Sequence, residues 1–273
     1  MRAVSILTYM KNTSPIGIFD SGVGGITIWN ELVKKLPYEN TIYLADNKNA
    51  PYGSKSPSEV LSYSIKNTEV LLAKGVKLIV VACNTATTNT ISKLRELFPN
   101  IGFIGVEPAI KPAAIESINK RIAVLATSST LNSKEFAEAL QKPYMKGVEV
   151  TKIAGVGLVP LIEENRLESV EMKELVRLYT KEMVEADIDR LVLGCTHYPY
   201  IKKQLQEILP DSVRIIDSGE AVARQTKYIL KSNQMLNEHK QEGEHKFYYN
   251  KPSKSILNFT PYHSPNKFLF LEF

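Results

Sequence analysis

Two cysteines, the only ones in the chain, occupy matching positions in two similar segments. Cys83 follows an apolar, β-prone run and precedes small polar residues, and Cys195 repeats this context later in the chain. A thiol at a strand-to-helix turn ionises more readily, because free backbone N–H groups at a helix start stabilise the thiolate. Either cysteine alone is more simply explained as a small buried hydrophobe ending a core strand. The repeated context favours a functional pair.

Two thiols that share one ligand indicate a particular class of reaction. In an α/β fold the carboxyl ends of strands are where ligands bind, so both thiols are expected at one cleft. Two bases on opposite sides of one carbon can remove a proton from one face and return a proton to the other. Each thiol then alternates between base and acid, because its pKa lies near the working pH. The pair therefore predicts racemisation or epimerisation.

Metal and cofactor sites are not favoured by the sequence. Cys83, Cys195 and His197 lack the close spacing of a structural zinc site, and the chain has only four histidines. No lysine stands in the phosphate-binding context typical of pyridoxal phosphate enzymes. We predict that the reaction needs neither a metal nor a cofactor.

Asp20 and His197 are candidates for a second layer around the thiols. Asp20 follows a predicted strand at 15–19 and opens the turn 20–25, whose glycines allow close approach of the backbone to a ligand. The turn lacks the full spacing of a dinucleotide fingerprint. His197 lies two residues after Cys195. The simpler alternatives are a helix N-cap for the aspartate and a helix-start histidine satisfied by backbone.

Strands and helices that position these residues alternate along the chain. Strands are predicted at 15–19, 41–45, 76–82, 101–106, 121–126, 148–153, 190–194 and 213–216. Four strands on each side of residue 107 amount to a weak internal duplication. Short alternation of this kind predicts an α/β protein with parallel, doubly wound sheets. A helix at 219–231 is expected to pack back on the first half.

Composition narrows the class of protein further. The 273 residues, 44% of them hydrophobic, are sufficient for two domains with real cores. The net charge of +5 is spread along the chain, which gives little support for nucleic-acid binding. No run approaches the roughly 20 apolar residues of a membrane span. Because two cysteines do not make a disulfide scaffold, we expect a cytoplasmic protein without nucleic-acid or membrane partners.

The two ends of the chain differ from the rest in character. Residues 1–10 lack the small-residue cleavage site of a signal peptide, so we interpret them as an extension or a loose first segment. Residues 232–273 are rich in Lys, Glu, His and Asn before the apolar stretch 268–273. We predict an exposed linker in the middle of this tail and a docked strand or helix at its end.

Taken together, the motifs resemble the cofactor-independent glutamate racemases, in that family's order. The matching segments are 19–25 (FDSGVGG), 51–53 (PYG), 82–86 (ACNTA), 193–199 (LGCTHYP) and 216–218 (IDS). The resemblance extends from about residue 16 to residue 230, and the combination is specific where one motif alone would not be. It implies interconversion of L- and D-glutamate, which supplies D-glutamate for bacterial peptidoglycan, by a homodimer.

The resemblance also implies roles for individual residues. Cys83 would handle the proton of D-glutamate and Cys195 that of L-glutamate, assisted by Asp20 and His197, with Glu163 near the histidine. The implied substrate-binding residues are Asp20, Ser21, Pro51, Tyr52, Gly53, Asn84, Thr85, Thr127, Thr130, Thr196 and His197. Residues 154–156 (AGV) depart from the Ala-Cys-Pro of many relatives, a change expected to alter the loop around Glu163.

The family's architecture implies two pseudosymmetric α/β domains with the active site in the cleft between them. Because the chain's end returns to the first domain in this family, the predicted first domain comprises residues 15–108 and 218–273. The predicted second domain comprises residues 109–217.

Two other functions stay open. One keeps the two-thiol chemistry but acts on aspartate, a hydantoin or another acid of the same superfamily, although segments 20–22 and 197–199 favour glutamate. The other is a non-catalytic ligand-binding or regulatory protein in which one cysteine is structural. The presence of both thiols together with Asp20 and His197 argues against it.

Overall fold

The computed structural model describes residues 12–252, 254–260 and 266–273 and shows strands alternating with helices. The strands are β1 (Ile16–Asp20), β2 (Thr41–Ala45), β3 (Leu78–Val81), β4 (Gly102–Gly105), β5 (Arg121–Ala126), β6 (Glu149–Ala154), β7 (Arg190–Gly194), β8 (Arg214–Ile216), β9 (His245–Tyr249) and β10 (Asn266–Phe270). The helices are α1 (Ile26–Lys35), α2 (Pro57–Ala73), α3 (Asn84–Leu97), α4 (Ile110–Glu116), α5 (Ser128–Leu131), α6 (Lys134–Leu140), α7 (Leu158–Glu163), α8 (Val170–Glu185), α9 (Lys202–Ile208), α10 (Gly219–Ser232) and α11 (Lys254–Phe259). Among these described segments, no helix combines the length and the apolar character needed to cross a bilayer.

The strands form two parallel sheets with a shared plan. The first sheet has the order β10-β9-β2-β1-β3-β4 and the second the order β6-β5-β7-β8. The arrangement β2-β1-β3-β4 therefore recurs as β6-β5-β7-β8, which makes the two halves pseudosymmetric. The predicted α/β fold with parallel sheets is confirmed. Each half has a cysteine just after its third strand in chain order. Cys195 directly follows β7, and Cys83 follows β3 after one intervening residue.

The central strands are continuous apolar runs because both faces of each sheet are covered. Every residue of β1, β3 and β7 is buried, as expected of parallel strands between helices. Ile18 packs in one cluster with Trp29 of α1, and Phe19 packs in another with Leu94 of α3. Two further clusters cover the second sheet. This packing fixes the strand ends at which the cysteines lie.

The tail of the chain completes the first sheet. The predicted linker is wrong for residues 245–249, which form β9 between β2 and β10. Phe247 of this strand is fully buried, with its ring centroid 4.8 Å from that of Trp29. The alternation of buried and less buried residues in β9 is masked in the sequence by neighbouring charges. The docked end is confirmed as β10, and residues 1–10 lie outside the described ranges.

Helix α10 returns the chain to the first sheet after β8. Its Val222 and Leu230 are buried in the same cluster as Trp29 of α1. The packing predicted for the helix at 219–231 is therefore confirmed. All four strands of the second sheet lie between β4 and α10 in the chain.

Candidate active site

Both cysteines line one cavity of about 500 Å³ at the carboxyl ends of the two sheets. Cys83 follows β3 by one residue and is 5% exposed, and Cys195 follows β7 directly and is 7% exposed. Both are free thiols. The convergence of the two strand ends on one cavity, expected from the sequence, is present in the structure.

Cys83 lies at the N-terminal end of α3. Its Sγ accepts a hydrogen bond from the backbone N–H of Ala86 at 3.5 Å, so the thiol caps the helix. Burial raises the pKa of Cys83 above its ordinary value, and the charges of Asp20 and Cys195 raise it further. Backbone N–H groups of Ala86 and Ser21 oppose the rise. The protonated thiol is therefore the favoured form of Cys83 at neutral pH.

Cys195 is the first member of a chain of three interacting side chains. Its Sγ lies 3.7 Å from Nδ1 of His197, whose Nε2 lies 2.6 Å from Oε1 of Glu163. Burial alone would lower the pKa of His197, but its hydrogen bonds to Cys195 and Glu163 raise it well above its ordinary value. A protonated imidazole is therefore favoured, and its Nδ1 faces the Cys195 sulfur.

Donors from other segments hold Glu163 at the end of α7. The backbone N–H of Val23 donates to Oε1 at 2.9 Å, and the side-chain amide of Asn47 donates to Oε2 at 3.3 Å. The hydroxyl of Ser255, in α11, donates to the backbone carbonyl of Glu163. The Glu163 carboxylate therefore has a fixed orientation toward His197. Residues 154–156, which depart from the family pattern, are not among these donors.

Asp20 joins the two halves without lining the cavity. It is fully buried at the end of β1, where Oδ1 accepts from the backbone N–H of Gly22 at 2.7 Å. Oδ2 accepts from the hydroxyl of Thr196 at 3.1 Å. Burial raises the pKa of Asp20 to about 6, although the charge of His197 and the Gly22 hydrogen bond lower it. Asp20 therefore changes its protonation close to neutral pH, and its charge acts on Cys83.

The glycines that follow Asp20 make room for side chains from the other half. A Cβ added at Gly22 would collide with the carboxylate of Glu163, and one added at Gly24 would collide with the ring of His197. Neither glycine lines the cavity. The space that these two glycines leave is taken by the His197–Glu163 pair, and Ser21 is the residue of this turn that lines the cavity.

Most of the substrate-binding residues implied by the resemblance lie on the cavity wall. Besides the cysteines, the wall includes Ser21, Pro51, Tyr52, Gly53, Asn84, Thr85, Thr127, Thr196 and His197. Thr130 lies behind it and accepts a hydrogen bond from Thr127 at 3.0 Å. Thr127 in turn lies 2.9 Å from the hydroxyl of Thr85, so this contact links the two halves across the cavity.

Sequence reasoning missed part of the wall, most of it in residues 155–160, which comprise the connection from β6 to α7 and the first residues of α7. The missed residues are Ser54, Ser128, Gly155, Val156, Gly157, Val159 and Pro160. Two tyrosines anchor the segment: Tyr198 donates to the carbonyl of Gly155 at 3.2 Å, and Tyr179 donates to that of Val156 at 2.7 Å. The available signals were its position after a strand end and its departure from the family pattern at 154–156.

Comparison with known proteins gives one consistent result at the level of sequence. A model of the Asp/Glu/Hydantoin racemase family matches residues 28–226. The chain is 43% identical to the glutamate racemase of Clostridium acetobutylicum over 249 residues, which cover 91% of this chain and 96% of that protein. It is 41% identical to the glutamate racemase of Ectopseudomonas mendocina over 226 residues, 83% of this chain and 86% of that protein.

Solved structures give the same result. The fold is similar to that of glutamate racemase isoform RacE1 from Bacillus anthracis, with a TM-score of 0.84, 30% identity and coverage of 96% and 98% of the two chains. It is also similar to the glutamate racemase of Francisella tularensis in complex with D-glutamate, with a TM-score of 0.82, 28% identity and the coverages 96% and 98%. These likenesses extend over both sheets.

Proposed function

The chain belongs to the Asp/Glu/Hydantoin racemase family, and from this membership we propose that it interconverts L-glutamate and D-glutamate by proton transfer at the α-carbon. Relatives that cover most of the chain and carry the name glutamate racemase support this substrate. The observation that carries the proposal is that Cys83 and Cys195, which follow strands of different sheets, line the same cavity.

In the first step the Cys195 thiolate removes the α-proton of L-glutamate. The Cα–H bond breaks, an S–H bond forms, and the electron pair is delocalised into the α-carboxylate. Protonated His197 stabilises the thiolate before the step, and the carboxylate of Glu163 stabilises the imidazolium. The assignment of Cys195 to the L-enantiomer follows from the family resemblance.

In the second step the Cys83 thiol donates its proton to the opposite face of the same carbon. The S–H bond breaks, a new Cα–H bond forms, and D-glutamate and a Cys83 thiolate result. Burial and the charge of Asp20 keep this thiol protonated beforehand. The N–H groups of Ala86 and Ser21 stabilise the thiolate once it forms. The reverse reaction uses the same groups in exchanged roles.

The cavity suits a small dicarboxylic amino acid. Its volume of about 500 Å³ falls in the range of small-molecule sites. Its described wall contains no lysine or arginine, and both ring nitrogens of His197 face other side chains, so carboxylates would be bound by uncharged donors. Hydroxyl groups of Ser21, Thr85 and Thr127 and the N-terminal end of α3 supply such donors.

We extend the proposal to the setting of the enzyme. It would supply D-glutamate for peptidoglycan synthesis as a cytoplasmic homodimer, with residues 15–108 and 218–273 as one domain and 109–217 as the other. The two free thiols support a reducing compartment, and the grouping of strands into two sheets supports the domain boundaries. Complementation of a D-glutamate auxotroph tests the role, and light scattering tests the dimer.

Incubation in deuterated water tests the reaction itself. Purified protein without added cofactor is given L-glutamate or, in parallel, L-aspartate, and optical rotation and deuterium at Cα are followed. We expect rotation to fall with deuterium incorporation for glutamate alone. Faster turnover of aspartate would contradict the proposed substrate, and absence of exchange with either acid would contradict the proposed reaction.

A further inference from the structure

A closed set of contacts surrounds Glu163 and passes through the C-terminal helix α11. The backbone N–H of Val23 donates to Oε1 of Glu163 at 2.9 Å, and the carbonyl of Val23 accepts from the hydroxyl of Tyr200 at 3.0 Å. The ring of Tyr200 stacks on that of Phe259, with centroids 4.1 Å apart and planes 30° from parallel. Ser255, four residues earlier in α11, donates to the carbonyl of Glu163. We call these five residues the Glu163 contact ring.

The Glu163 contact ring connects segments that are distant in the chain. Val23 lies in the turn after β1, Tyr200 in the 3-10 turn Tyr198–Ile201, and Phe259 at the end of α11. Phe259 packs against the buried clusters of both halves, and Ile256 anchors α11 with 1% exposure. The helix therefore bridges the two halves beside the site.

Tyr200, Phe259 and Ser255 belong to the Glu163 contact ring, but none of their side chains lines the cavity. They therefore act on the reaction only through other residues. The path available in the described residues leads through Glu163 to His197 and so to the Cys195 thiol. The described hydrogen bonds of the Cys83 thiol, by contrast, come from the backbone N–H groups of Ser21 and Ala86, neither of which belongs to the Glu163 contact ring.

We propose that α11 is a positioning element for one thiol of the pair. Phe259, Tyr200 and Ser255 hold Glu163 so that it keeps His197 directed at Cys195. This inference rests on the proposed two-base reaction. It assigns to the C-terminal tail a role in positioning the residues around Cys195.

Loosening the Glu163 contact ring slows proton transfer at Cys195 and leaves the transfer at Cys83 unchanged. Because the equilibrium constant of a racemisation is one, kcat/KM falls by the same factor in both directions. The isotope effects separate, however. For L-glutamate deuterated at Cα the labelled bond breaks at Cys195, so the effect rises toward the full primary value. For deuterated D-glutamate it breaks at Cys83, so the effect falls toward one.

The experiment compares Phe259→Leu and Tyr200→Phe with Phe270→Leu. Phe270 lies on β10 in the same tail and is 57% exposed. Phe270→Leu is therefore a matched control for Phe259→Leu. We expect kcat/KM to fall about tenfold in Phe259→Leu and about threefold in Tyr200→Phe, because sub-ångström misplacement of catalytic groups is costly. In both variants the two isotope effects should diverge as described. Phe270→Leu should behave as the unchanged protein, and Phe259→Tyr, which keeps the ring, should restore activity.

The outcomes distinguish this inference from the proposed function. Absence of racemisation by the unchanged protein contradicts the proposed function. An active protein whose variants alter both isotope effects equally, or neither, overturns the positioning role of α11. If Phe259→Leu does not fold, Tyr200→Phe carries the test, because it removes one hydroxyl and keeps the stacked ring.

Discussion

The two halves of the site present the same residue at the same topological position and support it with different chemistry. Cys83 caps α3, a helix of 14 residues, and its Sγ faces backbone N–H groups. Cys195 lies three residues before the 3-10 turn Tyr198–Ile201, which continues into α9, and its described sulfur contact is with the His197 ring. A helix start whose N–H groups face a thiol supplies partial positive charge to that thiol, as α3 does for Cys83. The imidazole of His197 provides positive charge where the backbone does not.

This difference makes the two thiols unlike before substrate binds. Burial and Asp20 raise the pKa of Cys83, which favours its thiol form. The raised pKa of His197 favours its protonated form, which places a positive charge beside Cys195. The two thiols therefore differ in the charges that surround them. A duplicated fold reaches this arrangement by changing the neighbours of each cysteine while keeping the cysteines themselves.

Replacing either cysteine removes one of the two thiols on the cavity wall. We expect Cys83→Ala and Cys195→Ala each to lower kcat by about 10⁴-fold, because no other described group on the cavity wall replaces the missing base. Each variant should still exchange the α-proton of one enantiomer with deuterated solvent: L-glutamate for Cys83→Ala and D-glutamate for Cys195→Ala. Proton NMR measures the exchange. A single variant with full racemase activity would exclude the two-base scheme.

Replacing Asp20 alters the connection between the halves and is measured through stability. The pKa of Asp20 is raised from 3.8 to about 6 by burial, so the folded protein holds a proton that the unfolded chain loses over this pH range. Its contribution to stability is fully present below the lower value and is lost as pH rises through the higher one. Asp20→Asn lacks this titration.

We expect the free energy of unfolding of the unchanged protein, relative to Asp20→Asn, to fall by about 2 kcal/mol between pH ~4 and pH ~7. Urea denaturation of both proteins at several pH values measures the difference. A difference that does not change with pH would show that Asp20 does not titrate in this way.

Replacing Glu163 acts most directly on His197 and has the smallest expected effect. The hydrogen bond and the charge of Glu163 help to raise the pKa of His197, so Glu163→Gln lowers that pKa and the imidazolium is lost at lower pH. We expect kcat/KM to fall about tenfold at neutral pH and the alkaline limb of its pH profile to move to lower pH.

A neighbouring residue provides a matched control for this prediction. Glu164 is exposed and pairs with Arg166 at 3.2 Å, so Glu164→Gln makes the same change beside the site. The control should keep the original profile. An alkaline limb that stays in place in Glu163→Gln would mean that this carboxylate does not govern His197.

Structural features that produce a local pattern of residues along the chain were predictable from the sequence. The eight predicted strands correspond to β1 through β8, because buried parallel strands are continuous apolar runs. The cysteines stood out because their contexts repeat. Strand β9 was missed because charged neighbours hide its alternation. The contacts of Glu163 with Val23 and Ser255 were missed because they join residues far apart in the chain, which leaves no local signal.

The place of β9 in the first sheet has a consequence for biosynthesis. On the ribosome, all four strands of the second sheet emerge before residue 245 is made. That sheet can close on the nascent chain, whereas β2 waits with an open edge for its neighbour β9. An open strand edge is a template for pairing with other chains. A strand that is translated after the whole second sheet therefore covers the open edge of β2.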